Sequence, residues 1–126
     1  MSVKPVVTLW CLPKMTEEQL VDLHRDVVQS FHAVLPQLVI GEESLIVLFP
    51  PDQMKHGLGQ EVYIEVKDLN LKSVAGGGDS LAGAFRVQLA MELCLCISRW
   101  VPKAKVQSCV REFNEQDMYR VFKQSN

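Results

Sequence analysis

The sequence predicts an α/β (α+β) domain: two βαβ units forming a four-stranded sheet with two helices on one face. Three observations predict it. Short β-branched runs alternate with long stretches of helical hydrophobic spacing, in the order strand, helix, strand, twice over. Proline or glycine punctuates the ends of most of these runs. The length of 126 residues suits one domain with a real core. The whole of 1–126 is therefore read as a single domain, with pseudo-repeats at about 5–60 and 61–113 in element order rather than residue identity. A ferredoxin-like βαββαβ sandwich has the same element order with an antiparallel sheet, and is the alternative.

Val6 to Leu12 (VVTLWCL) is β-branched and aromatic, which predicts a strand ending at Pro13. Val7, Leu9 and Cys11 share one face; Val6, Thr8, Trp10 and Leu12 share the other. Both faces are largely apolar, so cover is expected on both sides. Thr16 is a helix N-cap, and Gln19 completes a capping-box pattern. Glu17 and Glu18 suit the helix dipole. Leu20, Leu23, Val27, Phe31 and Val34 recur at helical spacing, with His24, Val28 and Leu35 widening the stripe. Asp22, Arg25, Asp26 and Gln29 form the wet face, and Pro36 stops the helix. Gly41 turns the chain into Ser44 to Phe49 (SLIVLF), apolar on both faces as a central or parallel strand is. A helix between two such strands of one sheet forms a right-handed unit with parallel strands.

The second pass is looser. Asp52 to Gln60 is a loop punctuated by Gly57 and Gly59. Val62 to Val66 (VYIEV) is the third strand, with Val62, Ile64 and Val66 on its core face. Leu69 to Ser80 connects it to a long helix, Leu81 to Trp100, which Asp79 or Ser80 would cap. Its main stripe is Leu81, Phe85, Leu89, Leu93, Cys96, Ile97 and Trp100. Val87, Met91, Cys94 and Leu95 make it apolar beyond one stripe, so it is deeply buried or meets another subunit. Lys105 to Phe113 is the fourth strand; Glu115 to Lys123 is a short helix or an edge strand.

Composition excludes several function classes. The 48% hydrophobic and 22% charged content suits a soluble domain. A net charge of -2 gives no basic stripe for nucleic acid and no attraction to an anionic membrane. No uninterrupted apolar run has the length of a membrane span. The start, MSVKP, leads straight into a strand, so no signal peptide is expected. Cys11, Cys94, Cys96 and Cys109 have no CxxC or Cys/His spacing, and read as small buried hydrophobes of a reducing, cytoplasmic compartment. No metal or other cofactor is expected.

The first half carries a resemblance. Pro5, the strand Val6 to Leu12, the helix start Thr16-Glu17-Glu18-Gln19, the amphipathic run Leu20 to Leu35 and the strand SLIVLF together resemble the N-terminal βαβ of the tautomerase superfamily, particularly 4-oxalocrotonate tautomerase. KHGLGQE resembles the glycine-containing loop and hairpin that follow in that family. The second βαβ agrees in element order with longer members, related to macrophage migration inhibitory factor and 5-carboxymethyl-2-hydroxymuconate isomerase. The resemblance implies a homotrimer with three sheets lining a central barrel. It also implies keto–enol tautomerase or isomerase chemistry on a small carbonyl or keto-acid at a subunit interface, with an N-terminal proline as base.

On that resemblance the catalytic candidates are Pro5 and His56, and the substrate-binding candidates are Lys14 and Lys55. Pro5 matches the proline, but its nitrogen is a tertiary amide with no basic lone pair, so the usual mechanism is blocked unless processing exposes it. Leu45 stands where 4-oxalocrotonate tautomerase has an arginine. His56 has the ordinary acid–base range of an imidazole, and its plainer reading is an exposed loop histidine. His24 reads as partly buried and His32 as solvent-facing. Gly76-Gly77-Gly78-Asp79-Ser80 reads as a turn and cap rather than an anion cradle, since it lacks a P-loop ending. Two helices cover one sheet face only, and Trp10, Leu12, Ile46 and Leu48 make a solvated second face unattractive. The alternatives are thus a non-catalytic trimeric binding or scaffold protein of the same fold, or a ferredoxin-like dimeric ligand-binding module.

Overall fold

The computed structural model describes residues 4–52, 56–57, 60–71 and 79–112. The elements in these segments are β1 (Val6–Trp10), α1 (Glu17–Val34), β2 (Ile46–Leu48), β3 (Glu61–Leu69), α2 (Asp79–Trp100) and β4 (Lys105–Glu112), with a 3-10 turn at Glu42–Ser44.

The sheet order is β2-β1-β3-β4. β1 runs parallel to β2, with Val6 beside Ile46 and Thr8 beside Leu48. β1 runs antiparallel to β3, with Val6 opposite Lys67 and Trp10 opposite Tyr63. β3 runs parallel to β4, with Glu61 beside Lys105. Two parallel βαβ pairs therefore meet along one antiparallel seam. The ferredoxin-like alternative is excluded, because its sheet is antiparallel and β1 here has a parallel neighbour.

The capping box at the start of α1 is complete. The Gln19 N–H donates to Thr16 Oγ1 at 3.1 Å, and the Thr16 N–H donates to Gln19 Oε1 at 2.9 Å. Leu23, Val27, Val28, Phe31 and Val34 point inward at the predicted spacing. They share one core with Val7 and Leu9 of β1, with Val62, Ile64 and Val66 of β3, and with Leu89, Leu93, Cys96 and Ile97 of α2. Each of the large apolar side chains contributes about 1.5–3 kcal/mol by leaving water. Both helices cover the same sheet face, as expected.

Several elements depart from expectation. β2 spans only three residues, because Glu42–Ser44 curl into the 3-10 turn and bury Leu45 beneath it. β3 runs on to Leu69 through an irregularity between Val66 and Leu69, where Asp68 has φ 60°. Asp79 and Ser80 lie in the first turn of α2 rather than before it. The Gly76–Gly78 run, Phe113 and the tail lie outside the described residues. Leu81 is exposed, although it stands on the predicted stripe. Val87, Met91 and Leu95 are exposed as well, so α2 carries apolar side chains on two opposite sides. By length and composition Ser80–Trp100 is apolar enough to cross a membrane, but Leu89, Leu93, Cys96 and Ile97 pack it into the domain.

The other sheet face is open. Trp10 (43% exposed), Ile46 (42%) and Leu48 (48%) lie on it, with Tyr63 beside them. Leu12 does not join them; it lies past the end of β1 and packs against the core.

Candidate functional site

The two catalytic candidates lie at opposite ends of β1. Pro5 is buried at its head, where its carbonyl accepts the Ile46 N–H at 3.1 Å and starts the β1/β2 ladder. Six residues on, Cys11 leaves the strand with φ 66°, a left-handed conformation that is uncommon outside glycine. The β-strand rise puts these positions roughly 20 Å apart. His56 is at the Cys11 end. One chain therefore does not bring Pro5 and His56 together. Lys14 is exposed on the connection between β1 and α1, and Lys55 lies outside the described residues.

Backbone geometry fixes His56. Asp52 Oδ1 accepts the His56 N–H at 2.8 Å, and Asp52 Oδ2 accepts the Gly57 N–H at 2.9 Å. The Gly57 carbonyl accepts the N–H groups of Gln60 at 2.8 Å and Glu61 at 3.1 Å. The Lys105 N–H then donates to the Gln60 carbonyl at 2.7 Å, which ties the start of β4 to the same turn. Gly57 is buried hard against Cys11. A Cβ there would lie 2.6 Å from the Cys11 Cβ and 2.6 Å from the Glu61 carbonyl oxygen. Only glycine admits this approach.

The turn and the strand ends enclose a cleft of about 140 Å³, lined by Cys11, His56, Glu61, Val62, Tyr63, Lys105 and Gln107. Burial pushes the Cys11 thiol up, and the Asp52 carboxylate, followed by that of Glu61, adds to the rise; the Gly57 N–H pulls the other way. The Tyr63 phenol is raised chiefly by its hydrogen bond with Cys109, then by burial. Among the described residues no three His, Cys, Asp or Glu side chains are placed to hold a metal ion.

Of the sequence candidates only His56 lines this cleft. Cys11, Glu61, Tyr63, Lys105 and Gln107 come together from three places in the chain. The readable signal was Asp52 four residues before His56-Gly57, the pattern of a side chain folding back on a turn.

No family model matches the chain, and no curated protein matches it. Solved structures do. A fused 4-OT protein, an asymmetric trimer, superposes with a TM-score of 0.50 at 12% identity over 91% of each chain. An FG41 malonate semialdehyde decarboxylase inhibited by 3-bromopropiolate gives 0.50 at 16% identity, covering 97% of this chain and 92% of that one. A 5-carboxymethyl-2-hydroxymuconate delta-isomerase gives 0.50 at 10% identity, covering 96% and 89%. The chain has the tautomerase fold. The likeness to these tautomerase-fold structures extends over nearly the whole domain, so the second βαβ belongs to it as fully as the first. At these identities the likeness is one of fold.

Proposed function

We propose that this chain is a homotrimeric binding or scaffold protein of the tautomerase fold, which does not use Pro5 as a base. Pro5 carries the reading. Its nitrogen is acylated by Lys4, and the residue is buried at the head of β1. A tertiary amide has no basic lone pair with which to take a proton from the carbon next to a carbonyl. Leu45 adds support, because it is buried where 4-oxalocrotonate tautomerase has an arginine.

Assembly is supported by the open sheet face. Trp10, Ile46, Leu48 and Tyr63 form an apolar area on that face, of the kind that marks an interaction surface. Three-fold assembly is favoured by the fused 4-OT structure, which is a trimer. Four free thiols suit a reducing compartment such as the cytoplasm.

Keto–enol interconversion of phenylpyruvate, followed by absorbance on the full chain, tests the reading. No acceleration over buffer is expected, with or without Pro5→Ala. Turnover that vanishes in His56→Ala would replace the proposal with general-base tautomerase chemistry at His56. Sedimentation is expected to give a trimer mass, and Leu48→Glu is expected to release monomers. A monomeric wild type would remove the assembly half of the proposal.

A further inference from the structure

The cleft at the far end of β1 carries charges of both signs on neighbouring strands. Glu61 and Lys105 are register partners across β3 and β4. Neither makes an ion pair within 4.0 Å among the described residues, whose salt bridges are His24–Glu42, Arg25–Asp22, Lys67–Glu65 and Arg86–Glu112. The His56 imidazole and the Gln107 amide likewise have no hydrogen-bond partner among the described residues. Four exposed polar side chains, two of them oppositely charged, thus border one cavity.

The two sides of the cavity differ. Around Cys11 the field is negative, since the carboxylates of Asp52 and Glu61 both oppose ionisation of the thiol. On the β4 side, the Lys105 ammonium and the Gln107 amide offer donors. The wall between them is fixed by the Asp52 clamp, the close approach of Gly57 and the left-handed Cys11. A non-glycine residue held in that conformation is a recurring mark of functional sites. Such a wall loses little freedom when a ligand enters.

We propose that this cleft binds a small zwitterion of the amino-acid type, with its ammonium toward Glu61 and its carboxylate toward Lys105 and Gln107. A plain anion meets Glu61; a plain cation meets Lys105. A dipolar ligand satisfies both sides at once. The 140 Å³ of the cleft equals the liquid volume of roughly five waters, room for about six heavy atoms. That is the size class of alanine. The site is separate from the Pro5 end, but Tyr63 both lines it and lies on the open sheet face proposed for assembly, so a subunit contact there would border the cleft.

The test is amide NMR on the full chain, titrated with L-alanine and with its two single-charge halves, propionate and ethylamine. L-alanine is expected to move the His56 and Gly57 signals saturably in the millimolar range. Each half is expected to bind at least about tenfold more weakly. Glu61→Gln and Lys105→Met, both at exposed positions, are each expected to weaken L-alanine about tenfold while leaving the rest of the spectrum in place. Propionate or ethylamine matching L-alanine would overturn the assignment. So would L-alanine shifts that never saturate, or that persist unchanged in both variants.

Discussion

The indole Nε1–H of Trp100 donates to Asp26 Oδ2 at 2.9 Å, across 74 positions of sequence. The bond pins the last turn of α2 to the side of α1 that the sequence marks as wet. Asp26 is half-buried as a result. Trp100→Phe keeps the ring packing and removes the donor. It is expected to cost about 1.5 kcal/mol, the low end for a charged acceptor, because water can reach Asp26 again. Trp100→Ala also loses the packing and is expected to cost about 3 kcal/mol. Urea unfolding measures both. A Trp100→Phe variant as stable as the wild type would assign the bond no net contribution.

Gly57 and Gly41 make a matched pair of controls. The atoms that a Gly57 Cβ would strike are the Cys11 Cβ and the Glu61 backbone oxygen, neither of which can swing away. Gly57→Ala is expected to lose about 1–3 kcal/mol and to displace the His56 turn. At Gly41 the nearest atoms are the Glu43 carboxylate, the far end of a flexible side chain. Gly41→Ala is expected to stay within about 0.5 kcal/mol of wild type. Equal losses in the two variants would show that the Cys11 contact is not what demands glycine at position 57.

Ser108 sits on the helix-facing side of β4, beside Ile64. Its hydroxyl is buried without a hydrogen-bond partner among the described residues. Ser108→Ala removes an unsatisfied polar atom and leaves little void. It is expected to raise the unfolding free energy by about 1 kcal/mol. A loss of stability instead would mean that the hydroxyl has a partner.

The thiols set an alkaline limit. Burial raises Cys94 and Cys96 above the ordinary value of 9.0. In the unfolded chain these thiols ionise near that value, while the folded chain still holds their protons. Their contribution is therefore complete below pH 9.0 and is lost as pH climbs through the raised values. Denaturation curves are expected to show stability falling above that point. Cys96→Val is expected to flatten part of the fall, since valine has no proton to lose. An unchanged alkaline slope in Cys96→Val would place the loss elsewhere.

Local rules were legible where one element dictates its own form. Thr16 and Gln19 spell the start of α1 because a capping box closes within four residues. Val62, Ile64 and Val66 spell the buried face of β3 because strand side chains alternate. The stripe of α2 was less legible. Leu89, Leu93, Cys96 and Ile97 are buried on the stripe that the spacing marks, but only packing shows that Leu81, on the same stripe, is exposed along with Val87, Met91 and Leu95.

The candidate site was legible only in part. Pro5 and His56 were joined by the tautomerase resemblance, and β1 holds them at its two ends. Glu61, Tyr63, Lys105 and Gln107 carry no local pattern that announces a cleft. They become neighbours because β4 pairs in parallel with β3 and its first N–H reaches Gln60.

The sequence by itself determined the element order, the capped first helix, the buried face of β3 and the amide that masks Pro5. These depend on residues a few positions apart, or on covalent chemistry alone. The tertiary structure decided the strand order β2-β1-β3-β4, the open apolar face and the cleft around Cys11. Those depend on which edges pair and in which direction, and pairing joins residues that no local spacing relates.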